Sequence, residues 1–167
     1  VARARDPRDR LDEQRRFLCD LLSALGYDPG ISTRELNDRS LLPVLAEVLR
    51  PSGQPLLWCV EVRPSDDDGL DLLSSNLGAE QFPDPADGAP PRFHPRMTLE
   101  DIVSRHIFAR DEPPRWLILA GGGQLLLVDR EKWREKRVLR FQLDEIFSRR
   151  ETSTLQAVSV LLHRESL

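Results

Sequence analysis

Lysine is nearly missing from this chain, occurring only at Lys132 and Lys136. That scarcity tests one chemistry directly. A PD-(D/E)xK nuclease uses carboxylates to hold a divalent metal and a lysine to stabilise charge growing on the phosphate. The residues two places before the lysines are Arg130 and Arg134, so no (D/E)xK triplet exists anywhere. Cysteine is equally scarce. Cys19 and Cys59 lack the x-x spacing of a zinc ribbon or redox pair. Each sits among apolar residues, the pattern of a reduced, cytoplasmic protein rather than a disulfide scaffold. No apolar run approaches the roughly 20 residues of a membrane span, and no signal-peptide pattern opens the chain, so no membrane partner is expected. The first residue is Val1 rather than Met, as in a fragment or a processed chain. With a net charge of −4, no global basic field draws in nucleic acid.

Two further motifs are missing. No G-x-x-x-x-G-K-[ST] loop occurs. The proline-rich segments read PDPAD and APPRF rather than the (N/D)PP(Y/F) clamp of an amino-methyltransferase, so this chain alone does not transfer methyl groups. The positive charge is nearly all arginine, which suits bidentate contact with phosphate or carboxylate but also follows from GC-rich coding.

What is present is a chain whose 40% hydrophobic content suffices for one domain with a real core. The organising stretch is Arg115 to Leu143. Its apolar run Trp116–Ala120 leads through Gly121, Gly122 and Gly123 to a second run, Leu125–Val128, and then to the alternating segment Val138–Leu143. A phosphate-cradling loop needs glycines running from a strand into a helix N-terminus. Here they run from strand to strand, so they predict a hairpin turn with positive φ.

Upstream, leucines at three- and four-residue spacing predict a helix over Arg8–Leu25, ended by Gly26. Tyr27–Ser40 reads as turns. Leu41–Arg50 fits a strand better than a short helix, with Pro43 near the start of an edge strand, and Leu56–Val62 (LLWCVEV) is its hairpin partner. Residues 64–95 are acidic and proline-rich, which predicts a flexible insertion with a short helix around Leu70–Leu77. Asp66–Asp68 lack the glycine and closing glutamate of a calcium loop, and no metal site is expected. Thr98 starts a helix that stops before Pro113. A short helix over Asp144–Arg149 and a last one, capped at Ser153 or Thr154 and running through Leu162, complete the chain. His94, His106 and His163 are scattered, and no catalytic triad can be placed among them. The order α-ββ-loop-α-ββ-β-αα implies one α+β domain over residues 1–167, with a mostly antiparallel central sheet built from hairpins and flanked by helices.

The segments TLEDIVSRHIF and PPRWLILAGGGQLLLVDREKWREKRVLRFQLDEIFSRR, with the earlier LLPVLAEVLRPSGQPLLWCVEV, carry a resemblance. Together they resemble the N-terminal region of large adenine-specific DNA methyltransferases of the type IIG kind, including methylases of DISARM- and BREX-type phage-defence systems. The resemblance covers about two-thirds of the chain and leaves out the acidic insertion. It implies an N-terminal module with a degenerate restriction-endonuclease-like fold. Glu61-Val62-Arg63 would then be the remnant of the nuclease triplet, with Glu61 and Arg63 as degenerate candidates. S-adenosylmethionine would bind in the downstream methyltransferase domain, and DNA, that domain or other defence subunits would be the partners. The expectation is a non-catalytic module that positions DNA or a partner subunit. The alternatives are a divergent metal-dependent nuclease and a protein–protein interaction module. Arg130, Lys132, Arg134, Arg137 and Arg140 form the best basic cluster for DNA.

Overall fold

A computed structural model describes residues 6–65, 71–83, 88 and 90–167. The fold is α+β. Its open six-stranded sheet follows chain order: β1 (Ser32–Glu35), β2 (Leu41–Leu49), β3 (Pro55–Glu61), β4 (Trp116–Gly121), β5 (Gln124–Asp129) and β6 (Val138–Gln142). Every neighbouring pair is antiparallel except β3 and β4, which are parallel. The sheet is therefore two three-stranded meanders joined at their inner strands. Parallel neighbours cannot be linked by a tight turn, so residues 62–115 form a crossover.

The strands foreseen from hydrophobic patterning are present, and one more accompanies them. β1, with the sequence STRE, is short and polar, and its residues fall in the stretch that reads as turns. Arg34 anchors it through a bidentate pair with Glu47 of β2, at 3.0 and 2.8 Å. Glu47 also accepts from the indole of the buried Trp58, at 2.7 Å. Because β1 covers β2, Pro43 is not on an edge strand. It lies opposite Thr33, and the pairing of β2 with β3 begins one residue later, at Val44.

The glycine triplet is a hairpin turn, as its strand-to-strand setting predicts. Gly122 and Gly123 have φ of +55° and +71°, the two positive angles of a tight two-residue turn, and Gly121 pairs with Gln124 across it. Gly121 has a different reason to be glycine, since a Cβ there would sit 2.5 Å from the carbonyl oxygen of Val62.

Both faces of the sheet are covered, which is why β3, β4 and β5 read as continuous apolar runs rather than alternating ones. On one face lies α1 (Pro7–Ala24), begun by Asp6, which accepts from the Arg8 amide, with Pro7 in the first turn. Its Leu11, Leu18 and Leu22 are buried, each worth about 1.5–3 kcal/mol relative to exposure. Leu162, the last residue of α4 (Thr152–Leu162), joins that face, and the buried Tyr27 hydroxyl donates to the Leu162 carbonyl at 2.7 Å. Burial pushes the Tyr27 hydroxyl pKa up to about 12. The short α3 (Leu143–Arg149) precedes α4.

The opposite face is covered by the crossover. Thr98 caps α2 (Leu99–Ile102), accepting from the Asp101 amide, and α2 runs on as one wide π turn, Val103–Ile107. The 64–95 segment is not simply a solvated insertion. Leu72, Leu77 and Phe82 are buried in the core, and the short helix expected there is two 3-10 turns, Leu72–Ser74 and Ala79–Gln81. Composition concealed this because a few apolar anchors sit among many acidic and small residues. Asp66–Asp68 lie outside the described residues. No helix among the described residues is long and apolar enough to cross a membrane.

Candidate functional site

β3 ends at Glu61, with α1 beside it. Glu61 is only 1% exposed, and Arg15 of α1 grips both of its oxygens, Nε to Oε2 at 2.6 Å and Nη2 to Oε1 at 2.9 Å. The 3-10 turn Ala79–Gln81 closes the other side. The buried Gln81 donates Nε2 to the Glu61 carbonyl at 3.2 Å and to Oε1 at 3.3 Å, while its own carbonyl accepts from Arg15 at 3.0 Å. Gln14 extends the network, donating to the Val62 carbonyl at 2.7 Å and accepting from the Gly122 amide at 3.1 Å. The hydrogen bonds that Arg15 donates to Glu61 raise the Arg15 pKa, outweighing the desolvation that would lower it.

Arg63 lies just beyond the strand and pairs with Glu80 at 2.8 Å. The same short turn thus holds both candidates, Glu80 taking Arg63 and Gln81 taking Glu61. Nothing in the sequence pattern joined Arg15, Gln14, Glu80 or Gln81 to the end of β3, because Arg15 lies 46 residues before Glu61 and Gln81 lies 20 residues after it. The chemistry of the arrangement is clear. A metal-binding carboxylate needs oxygens open to the ion, whereas those of Glu61 are occupied by a guanidinium and an amide. Both nearby thiols are shifted away from the thiolate: burial raises the pKa of Cys59, and desolvation followed by the charge of Glu61 raises that of Cys19.

The basic cluster is a connector of mixed charge. Arg130–Glu135 is a 3-10 turn capped by Asp129, whose side chain accepts from the Glu131 amide. Within and beyond it, Arg130 donates to the Pro113 carbonyl, Lys136 pairs with Glu100, Arg137 with Glu135 and Arg140 with Asp71. Arg115 holds Asp129 at 2.8 Å and lowers its pKa against the opposing effect of burial. Trp133 is buried and donates its indole N–H to Ser104 at 3.0 Å. Lys132 and Arg134 are exposed. Acidic side chains thus engage Arg137 and Arg140, and a backbone carbonyl engages Arg130.

A different surface stands out. α4 reads TSTLQAVSVLL, without one charge, yet Val160 is 64% and Leu161 47% exposed. Between α4, α3 and β6 runs a groove of about 360 Å³ lined by apolar Phe141, Ile146, Val158 and Leu161 and by charged Arg140, Glu145, Arg149 and Glu151. Phe17 of α1 and Phe147 of α3, both exposed, meet edge to face at 6.2 Å.

The class these observations define is an α+β domain with a mostly antiparallel, open six-stranded sheet. Comparison with protein-family models, curated proteins and solved structures gives no match.

Proposed function

We propose that this domain is a non-catalytic, nuclease-like N-terminal module of a bacterial restriction–modification or phage-defence DNA adenine methyltransferase, where it positions DNA or a partner subunit. The observation that carries the non-catalytic reading is the occupied carboxylate of Glu61. Freeing it for a metal would leave Arg15 and Gln81 without their partner at a buried site, which costs several kcal/mol. Methyl transfer and S-adenosylmethionine binding then belong to a downstream domain. A partner subunit is favoured over DNA, because three of the five connector cations, Arg130, Arg137 and Arg140, are already engaged.

The experiment is supercoiled plasmid incubated with the domain and magnesium or manganese, together with duplex binding measured across a salt series. The expected result is no nicking and only weak binding. Neutralising Arg130, Lys132, Arg134, Arg137 and Arg140 together should lower the slope of log affinity against log salt by no more than about 2. Cleavage that Glu61→Gln abolishes would establish the divergent nuclease instead. A slope change near 5 would establish a phosphate-binding face.

The uncharged, exposed surface of α4 favours a second reading, a pure protein-interaction module. Under it, Val160→Glu with Leu161→Lys should abolish binding to a separately expressed downstream methyltransferase domain, while the circular dichroism spectrum is unchanged.

A further inference from the structure

The three histidines are not all scattered in space. His94 comes from the stretch before α2 and His106 from the π turn. Their rings stack at 4.6 Å, with planes 18° apart, over the carboxylate of Asp38 in the β1–β2 turn. We propose that Asp38, His94 and His106 form a binding site for a divalent transition-metal ion of the zinc class, separate from the Glu61 network and independent of the nuclease-like reading.

The local geometry prepares the carboxylate. Arg39 takes the left-handed φ of 66°, which folds the turn so that Ser40 donates both its amide and its hydroxyl to Asp38 Oδ1, at 3.0 and 2.5 Å. Oδ2 is left to the histidines, 2.6 Å from His94 Nε2 and 3.9 Å from His106 Nδ1. A fourth donor stands next to them, since Asn37 Oδ1 is 2.7 Å from His106 Nδ1. Asn37 is itself oriented by its amide, which donates to the Arg105 carbonyl at 3.3 Å.

Distances and donor types select the ion. One donor atom from each of Asp38, His94 and His106 lies within 4.8 Å of the others, and the three residues are half-buried. Zinc bonds nitrogen and oxygen at about 2.0–2.1 Å in a tetrahedron, which spaces its ligands about 3.3 Å apart. The 2.6 and 3.9 Å separations bracket that spacing. Two imidazoles with one carboxylate suit zinc and its transition-metal neighbours, whereas magnesium and calcium prefer oxygen donors. The π turn matters here because its extra residue sets the register of His106 relative to α2, and such turns recur at functional sites. In the bound form the metal replaces the proton shared by Asp38 and His94, and the Nδ1 proton that His106 donates to Asn37 moves to His106 Nε2. The stacked rings must also turn apart, because each nitrogen lone pair lies in its ring plane. The ion would cross-link the β1–β2 turn, the approach to α2 and the π turn.

The test uses the chelator-treated chain. Zinc titrated by calorimetry should bind one ion per chain, with magnesium giving no heat. His94→Gln and His106→Gln should each weaken binding at least about tenfold, and Asn37→Ala by about tenfold. His163→Gln and Cys19→Ser should leave affinity unchanged. A second measurement needs no variant. Cobalt added to the wild-type chain should shift and broaden the ring resonances of His94 and His106 and spare those of His163. Absence of zinc binding, full affinity in His94→Gln and His106→Gln, or cobalt broadening centred elsewhere would overturn the site.

Discussion

At the residue scale, the Arg15–Glu61 pair decides what the end of β3 can do, and it also bears on stability. A buried ion pair contributes little net energy against a well-packed apolar pair, but removing one partner strands the other. Arg15→Met should therefore lower unfolding stability by about 3 kcal/mol, and Arg15→Met with Glu61→Met should recover part of that loss in urea titrations. A double variant worse than the sum of its singles would show that the pair is not coupled as described. Glu47 offers a pH-dependent counterpart. The Arg34 hydrogen bonds lower its pKa, against desolvation and with help from Trp58. A carboxylate with a lowered folded pKa contributes stability above its unfolded value of about 4.3 and loses it as pH falls through the folded value. Glu47→Gln should then cost about 1–2 kcal/mol at pH 7, and the gap to wild type should narrow steadily below about pH 4. The sequence showed Glu61 as a candidate because it ends an apolar strand. It could not show Arg15, which looks like any other charge on the wet face of an amphipathic helix until α1 is laid against β3.

At the element scale, hydrophobic period and glycine placement revealed most of the strands. β2 through β6 all carry apolar runs or alternation that local patterning exposes, and the strand-to-strand setting of the glycines identified their turn. The two positions closest in sequence should nevertheless respond differently. Gly122→Asn should be tolerated within about 0.5 kcal/mol, because its φ is positive and nothing lies within 4 Å of a Cβ there. Gly121→Ala should cost about 2 kcal/mol or more, since its Cβ would collide with the Val62 backbone. Thermal unfolding of the two variants checks the ranking. Less was legible where tertiary partners decide. β1 forms because Arg34 finds Glu47. Leu72, Leu77 and Phe82 become core only because the crossover returns them to the sheet. The Asp38, His94 and His106 cluster was hidden for the same reason, since its members are far apart along the chain.

At the scale of the whole molecule, the parallel seam between β3 and β4 governs how the chain can assemble. Each meander closes through local turns and can form early. The seam can form only after the long segment between residues 62 and 115 has packed, and such remote pairings are slow because the loop-closure entropy is lost before any contact rewards it. Until then, PLLWCVE of β3 and WLILAG of β4 present unpaired backbone on their most apolar edges. The joint that is best protected in the native protein is thus the one most exposed to neighbouring chains during refolding, where it invites strand exchange and aggregation at high protein concentration.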